Sequence, residues 1–134
     1  MATTTVTAKN FQETIDKNGL VLLDFWASWC GPCRAFGPIF EKASDKHPDA
    51  VFGKVDTEAE QELAAAFNIQ SIPTLMIFRD RALIYAQPGM VPGAALEELI
   101  GKVKQLDMDE VRRKIAAQEA RHQHGVAARK AAQA

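Results

Sequence analysis

Two cysteines separated by two residues are the feature of this sequence best suited to chemistry. Cys30 and Cys33 are the only cysteines among the 134 residues, and Gly31 and Pro32 lie between them. Thiols at this spacing can close a small disulfide ring. A helix that begins there would stabilise a thiolate through its unpaired N–H groups and its positive end. A stabilised thiolate is a nucleophile near neutral pH, so the pair is a candidate redox centre.

The same pair could instead be half of a zinc site, because structural zinc takes about four ligands. The sequence contains no second cysteine pair to supply the other half. His122 and His124 could complete such a site, although they lie in a polar segment near the C-terminus. The cysteines alone leave redox chemistry and metal binding as alternatives.

The residues that flank the cysteines predict a strand before them and a helix after them. Leu20–Trp26 is apolar except for Asp24, which is typical of a central strand buried on both faces. From Pro32 to about Lys46, apolar residues recur at helical spacing. A carboxylate within such a strand should be desolvated, which raises its pKa. The alternative is an aspartate whose side chain reaches the surface at the strand end.

The rest of the chain to residue 106 predicts alternating strands and helices in the order β-α-β-α-β-α-β-β-α, which indicates one α/β domain. The acidic residues Glu58, Glu60 and Glu62 predict the first turn of the third helix. Residues 79–81 predict a tight connection between two antiparallel strands. They contain no Asn-Gly or Asp-Gly, so this hairpin is predicted from the two flanking β-prone runs.

Residues 107–134 differ in composition from residues 1–106. The longer segment has ten Lys/Arg against thirteen Asp/Glu, whereas the shorter one has six against four. Asp107 and Glu110 form a possible capping pair, and Val111 with Ile115 gives a narrow apolar stripe. We predict a C-terminal extension with a short helix to about residue 120, followed by a flexible tail.

The composition favours a protein that works in the cytoplasm without nucleic acid or membrane. The net charge is −1, which gives no indication of binding to nucleic acid or to an anionic membrane. The N-terminal residues have no apolar segment of the signal-peptide kind, and no run approaches the ~20 apolar residues of a membrane span. In the cytoplasm, a lone Cys-x-x-Cys is more often catalytic or metal-binding than structural.

Several separate segments together resemble the thioredoxin family. The similarity covers roughly residues 3–106, and the segments that carry it are Phe25–Cys33, Pro38, Lys54–Asp56, Ile72–Thr74 and Gly89. The resemblance implies the thioredoxin fold, an α/β fold with a central mixed β-sheet flanked by helices. After this domain, the segment Leu106–Arg113 resembles a C-terminal extension found in actinobacterial thioredoxins. One departure is the connection at residues 79–81, where the family commonly has a glycine-containing turn.

The resemblance also implies a function, which is the reduction of protein disulfides by dithiol–disulfide exchange. Cys30 would attack the substrate disulfide and Cys33 would resolve the mixed disulfide. Asp24 would accept the proton of Cys33 through water, and Lys54 would tune Asp24; a solvated lysine is the alternative. Thioredoxin reductase would recharge the protein, so NADPH and FAD would be needed only by that partner. The chain would bind no cofactor of its own.

In the family, the proline that matches Pro73 is cis and exposes the preceding backbone to an extended substrate segment. The residues implied in substrate docking are Trp29, Gly31, Pro32, Ile72, Pro73 and Gly89. The expected partners are thioredoxin reductase and disulfide-containing proteins such as reductases and peroxidases. The protein itself is expected to be a monomer. The alternative is a thioredoxin-like adaptor, in which the fold binds a partner and the cysteines are secondary.

Overall fold

The computed structural model describes the backbone of residues 2–133 and the side chains of residues 2–121. These residues form two compact units, which divide between Lys104 and Gln105, two residues before the predicted boundary. The elements of the first unit are β1 (Thr3–Thr5), α1 (Phe11–Lys17), β2 (Leu20–Trp26), α2 (Gly31–Lys46), β3 (Val51–Asp56), α3 (Gln61–Ala66), β4 (Thr74–Arg79), β5 (Ala82–Pro88) and α4 (Gly93–Lys104). This is the predicted order.

The five strands form one mixed sheet in the order β1-β3-β2-β4-β5. The strands β1, β3 and β2 run parallel, whereas β4 runs antiparallel to β2 and β5 runs antiparallel to β4. The first six residues of β2 are all buried, which confirms the prediction of a central strand covered on both faces. The predicted mixed sheet flanked by helices is confirmed.

The two faces of the sheet pack against different helices. Phe25 of β2 packs in one cluster with Ile15 of α1. On the other face, Phe40 of α2 packs against Phe52 of β3, with ring centroids 5.1 Å apart. Because side chains alternate along a strand, Asp24 faces the side opposite to Phe25, which is the side that α2 covers.

The helix α2 is held at both ends by identifiable contacts. Cys30 is its N-cap, and Pro32 lies in the first turn, where the missing N–H has no helical partner to lose. At the other end, the ring of His47 bonds to Glu97 at 2.6 Å and to Lys104 at 2.9 Å, both on α4. The contacts of His47 attach the C-terminal end of α2 to α4. They help to hold the whole helix in place, including its first turn, where the cysteines lie.

The strands β4 and β5 form the predicted antiparallel hairpin. Asp80 and Arg81 make the two-residue connection, with φ angles of 50° and 71°. Hairpin turns with two positive φ angles usually contain Asn and Gly, because other residues are strained there. The hairpin therefore forms without glycine, at a cost in backbone strain.

The second unit contains α5 (Met108–Gln133). Asp107 caps this helix, since its Oδ1 accepts hydrogen bonds from the N–H groups of Asp109 and Glu110. The helix continues past residue 120, where the sequence predicts its end, because Ala, Gln and Arg favour helix and a glycine costs only about 1 kcal/mol. The predicted flexible tail falls mainly on residues 122–134, whose side chains lie outside the described part. In the described residues, neither this helix nor any other is long and apolar enough to cross a membrane.

Candidate active site

The two cysteines form a disulfide where β2 leads into α2, and their Cα atoms are 5.2 Å apart. Cys30 has extended backbone angles as the N-cap of α2. Its Sγ accepts a hydrogen bond from the backbone N–H of Cys33 at 3.2 Å. In the reduced protein, this N–H and the positive end of the helix would stabilise a thiolate on Cys30.

The two cysteines differ in their surroundings and hardly at all in exposure. Cys30 is 4% exposed and Cys33 is 5% exposed, so neither cysteine is more accessible than the other in the disulfide form. The reason is that Cys30 Sγ is drawn against another loop, 3.7 Å from the carbonyl oxygen of Ile72. Cys30 lies next to Trp29, whose side chain is 65% exposed. Cys33 instead lines a cleft whose walls include Trp26 and the start of α2.

The residues predicted for substrate docking lie around Cys30. The Ile72–Pro73 peptide bond is cis, as the family resemblance implied. The N–H of Gly89 donates to the carbonyl of Pro73 at 2.8 Å. Gly89 has a φ angle of 104°, a conformation that L side chains rarely adopt, which explains the glycine at this position. We call the following set the docking surface: Trp29, Gly31, Pro32, Ile72, Pro73 and Gly89.

Two residues beside the docking surface were not predicted. Glu58 accepts a hydrogen bond from the indole N–H of Trp29 through its Oε1. The prediction that Glu58 and Glu60 lie in the first turn of α3 is wrong, because α3 begins at Gln61. Met90 is 46% exposed in the loop before α4, and no periodic pattern in the sequence marks it. The only signal that could have indicated Glu58 is its position just after a strand, in a loop rich in acidic residues.

Asp24 is the buried acid of the site. Its side chain is fully buried, and neither carboxylate oxygen has a hydrogen-bond partner among the described residues. Burial raises the pKa of Asp24 from 3.8 to about 6, and the charge of Lys54 partly opposes this rise. The predicted burial is confirmed, and the alternative of an aspartate that reaches the surface is excluded. The role of Asp24 as a proton acceptor stays a prediction.

Lys54 is the register partner of Asp24 on the neighbouring parallel strand. Its Nζ lies 5.1 Å from the centroid of the Trp26 ring, which is within the range of a cation–π interaction. The side chain is half-buried, so it is not the freely solvated lysine of the alternative. Lys54 is therefore close enough to influence Asp24 electrostatically.

The zinc alternative finds no support in the part of the chain whose side chains are described. Within residues 2–121, no three His, Cys, Asp or Glu side chains are grouped so that they could hold a metal ion. Both cysteine sulfurs are joined in the disulfide and present no thiolate ligand. The proposed additional ligands His122 and His124 lie outside the residues whose side chains are described.

Comparison with known proteins places this geometry in a family. The thioredoxin family model matches residues 2–117. A putative thioredoxin 2 of Streptomyces coelicolor is 57% identical over 119 residues, which are 89% of this chain and 89% of that protein. A thioredoxin of Alicyclobacillus acidocaldarius is 39% identical over 105 residues, which are 78% of this chain and 100% of that protein.

Solved structures give the same result. A mutant thioredoxin from Halobacterium salinarum has a TM-score of 0.71 and 32% identity, over 77% of this chain and 91% of that one. The oxidised thioredoxin from Plasmodium falciparum has a TM-score of 0.67 and 33% identity, over 75% of this chain and 97% of that one. The chain therefore belongs to the thioredoxin family, and it carries out dithiol–disulfide exchange through Cys30 and Cys33.

Proposed function

We propose that this protein is a protein disulfide reductase in which Cys30 attacks the substrate and Cys33 resolves the mixed disulfide. The observation that carries this assignment is the hydrogen bond from the Cys33 N–H to Cys30 Sγ at the N-terminus of α2. This bond and the helix dipole favour negative charge on Cys30, and the thiolate is the attacking form.

The reaction transfers two electrons from the reduced protein to its substrate. The Cys30 thiolate attacks one sulfur of the substrate disulfide, and the other substrate sulfur leaves as a thiolate, which takes up a proton. The Cys33 thiolate then attacks Cys30 Sγ and displaces the second substrate sulfur. The substrate is left as a dithiol, and the protein carries the Cys30–Cys33 disulfide found here.

The docking surface holds an extended segment of the substrate beside Cys30. The proximity of the Ile72 carbonyl to Cys30 Sγ, 3.7 Å, supports this role, because a strand paired with that backbone would pass over the sulfur. Trp29 offers the largest exposed apolar contact next to the cysteine. Backbone pairing of this kind suits substrates of many sequences.

Asp24 accepts the proton that Cys33 must lose before it can attack. A carboxylate with a pKa of about 6 is a better general base near neutral pH than one with an ordinary pKa. Lys54 keeps this pKa from rising further, so that Asp24 is ionised at neutral pH. Both roles rest on the burial of Asp24 and on the register pairing of the two residues.

Thioredoxin reductase returns the electrons, taking them from NADPH through FAD, so this chain needs no bound cofactor. The residues Gly31 and Pro32 between the cysteines favour the reducing branch of the family, with a potential near about −270 mV. The protein acts as a cytoplasmic monomer on disulfide-containing proteins such as reductases and peroxidases. A measured potential above about −200 mV would contradict the reductant assignment.

Reduction of insulin with dithiothreitol as electron donor tests the proposal. The wild-type protein should accelerate precipitation of the reduced chains, and Cys30→Ser should abolish the acceleration. Ala35→Ser is the matched control, since it places a serine on the exposed side of the same helix without touching a thiol. A wild-type protein that fails to reduce insulin, and that binds its partners equally well as Cys30→Ser, would favour the adaptor function instead.

A further inference from the structure

Three large apolar residues are strongly exposed in the described part of the chain. They are Trp29 at 65%, Met90 at 46% and Leu83 at 44%. Leu83 lies near the start of β5, whereas Met90 comes two residues after the end of that strand and directly follows Gly89 of the docking surface. Trp29 already has a role in docking the substrate, and Met90 is the exposed apolar residue beside the same surface that has none.

The loop that carries Met90 is attached to the cis-proline loop. The N–H of Gly89 donates to the carbonyl of Pro73 at 2.8 Å, which continues the antiparallel pairing of β5 with β4 by one residue. The next residues along the two segments are Met90 and Ile72, so the chain brings Met90 into the neighbourhood of Ile72. The carbonyl oxygen of Ile72 lies 3.7 Å from Cys30 Sγ. Met90 therefore lies at the edge of the docking surface.

Met90 differs from the other described methionines because solutes can reach it. The next residue, Val91, is partly buried, whereas Met90 stays on the outside of the loop. Met76 and Met108 are only 4% and 6% exposed, so packing keeps solutes away from their sulfur atoms. Met90 is therefore the methionine of residues 2–121 whose thioether is open to a dissolved oxidant.

Hydrogen peroxide oxidises a thioether without help from the protein. The sulfur lone pair attacks one peroxide oxygen, the O–O bond breaks, and the second oxygen leaves as hydroxide. The proton of the transferred oxygen joins this hydroxide to form water. The sulfur has then given two electrons to the peroxide, and Met90 has become methionine sulfoxide, which is polar where the thioether was apolar.

The sulfoxide changes what the docking surface can bind. A thioether side chain is apolar and flexible, so Met90 can pack against substrate side chains of many shapes. A sulfoxide oxygen is a hydrogen-bond acceptor, and an apolar substrate segment that covers it leaves it without a donor, which costs free energy. Oxidation of Met90 should therefore weaken docking, while Cys30 and Cys33 keep their chemistry.

We propose that Met90 is an oxidation site at the docking surface, and that its conversion to the sulfoxide by hydrogen peroxide lowers the affinity of this protein for protein disulfides. The inference rests on the proposed function and adds a means of regulating it. The sulfoxide slows the reduction of protein substrates and leaves the exchange between small disulfides and the two cysteines intact. The change is reversible, because methionine sulfoxide reductases return the sulfoxide to the thioether.

Treatment of the disulfide form with hydrogen peroxide tests the oxidation site, because neither cysteine then offers a thiol to the oxidant. Peptide mass mapping follows the conversion of each methionine with time. Met90 should be oxidised at least about tenfold faster than Met76 and Met108, whose sulfur atoms are shielded. Equal rates for the three methionines would overturn the assignment of Met90 as the site.

The reaction of the treated protein with two disulfides tests the effect on docking. After the peroxide is removed, the protein is reduced with dithiothreitol, separated from it and mixed with insulin. The second-order rate constant should fall about fivefold, the loss expected when a half-exposed apolar side chain no longer becomes buried. The rate constant for dithiobis(nitrobenzoate), a small disulfide that does not cover the docking surface, should be unchanged.

Two variants of Met90 and one control show whether this residue is responsible. Met90→Leu removes the sulfur and keeps an apolar side chain, so its rate constant for insulin should be the same before and after peroxide. Met90→Gln places a polar amide at this position and should react with insulin as slowly as the oxidised wild type, without peroxide. Leu83→Gln makes the same kind of change at an exposed residue away from the docking surface and should alter neither rate constant.

The outcomes separate the oxidation of Met90 from the proposed function. If insulin reduction slows equally in treated wild type and treated Met90→Leu, another residue is responsible and the inference is wrong. It is also wrong if the rate constants for insulin and dithiobis(nitrobenzoate) fall equally, because the cysteine site itself is then damaged. If Met90 is oxidised and insulin reduction is unchanged, the inference fails and the proposed function stands. If the untreated protein does not reduce insulin, both fail.

Discussion

Asp24 on β2 and Lys54 on β3 are register partners on neighbouring parallel strands, so they lie side by side. Asp24 is fully buried, whereas Lys54 is not. Lys54 is a half-buried residue, and its ammonium lies 5.1 Å from the centroid of the Trp26 ring. The carboxylate thus has a single positive charge nearby and no hydrogen-bond partner among the described residues. This arrangement makes the stability of the protein and the proton chemistry of its redox site depend on the same acid.

The burial of Asp24 predicts a stability that falls as the pH rises. Its pKa is about 6 in the folded protein and has the ordinary value of 3.8 in the unfolded chain, so the folded state holds the proton more tightly. This contribution is fully present below about pH 4 and is lost as the pH rises through 6; the loss is about 3 kcal/mol for a shift of this size.

Asp24→Ala should therefore be more stable than the wild type at pH 7 and lose this advantage at pH 4. Urea unfolding of the oxidised proteins at the two pH values measures the difference. The other titratable groups are the same in both proteins, so their contributions cancel in the difference between the two free energies of unfolding. A variant that is destabilised equally at both pH values would contradict the raised pKa.

Lys54→Met should raise the pKa of Asp24 above its value of about 6, because it removes the charge that favours the ionised carboxylate. Titration of the Asp24 carboxyl carbon by NMR measures the change directly. Lys102→Met serves as the control, since it removes an exposed lysine of α4 that pairs with Glu98. An Asp24 pKa equal in the two variants would show that Lys54 does not influence the acid.

Arg81→Gly should stabilise the protein by roughly 0.5–1 kcal/mol. The φ angle of Arg81 is 71°, which costs an L residue about 1 kcal/mol or more, and the greater freedom of glycine in the unfolded chain offsets part of the gain. Thermal unfolding measures the effect. Arg81→Ala keeps the strain and should leave stability nearly unchanged, so a gain of equal size in that variant would remove the explanation.

The parts of the fold that depend on local pattern could be predicted from the sequence. The apolar run of β2, the capping of α5 by Asp107 and the burial of Asp24 all follow from residues close to one another in the chain. The length of α5 was underestimated, because a single glycine in a segment rich in Ala, Gln and Arg is a weak reason to end a helix. The first part of the extension is shared with a relative, since a match of 119 residues to the Streptomyces protein must include residues 107–119.

The features of the site that were missed depend on loops distant in sequence. Glu58 bonds to Trp29 across 29 residues. The approach of Cys30 to the Ile72 carbonyl, across 42 residues, was implied only by the family resemblance. No periodicity or turn signal reports such contacts, because they depend on where folded loops meet. The nearly equal burial of the two cysteines has the same origin, since a distant loop covers Cys30.

The division of labour between Cys30 and Cys33 is the central claim, and trapping of the mixed disulfide tests it most directly. Reduced Cys33→Ser, incubated with a disulfide-containing protein, should accumulate a covalent complex, and peptide mass mapping should place the bond on Cys30. Reduced Cys30→Ser, treated in the same way, should accumulate little or none. A covalent complex that forms on Cys33 in the Cys30→Ser variant as fast as on Cys30 in the Cys33→Ser variant would contradict the account.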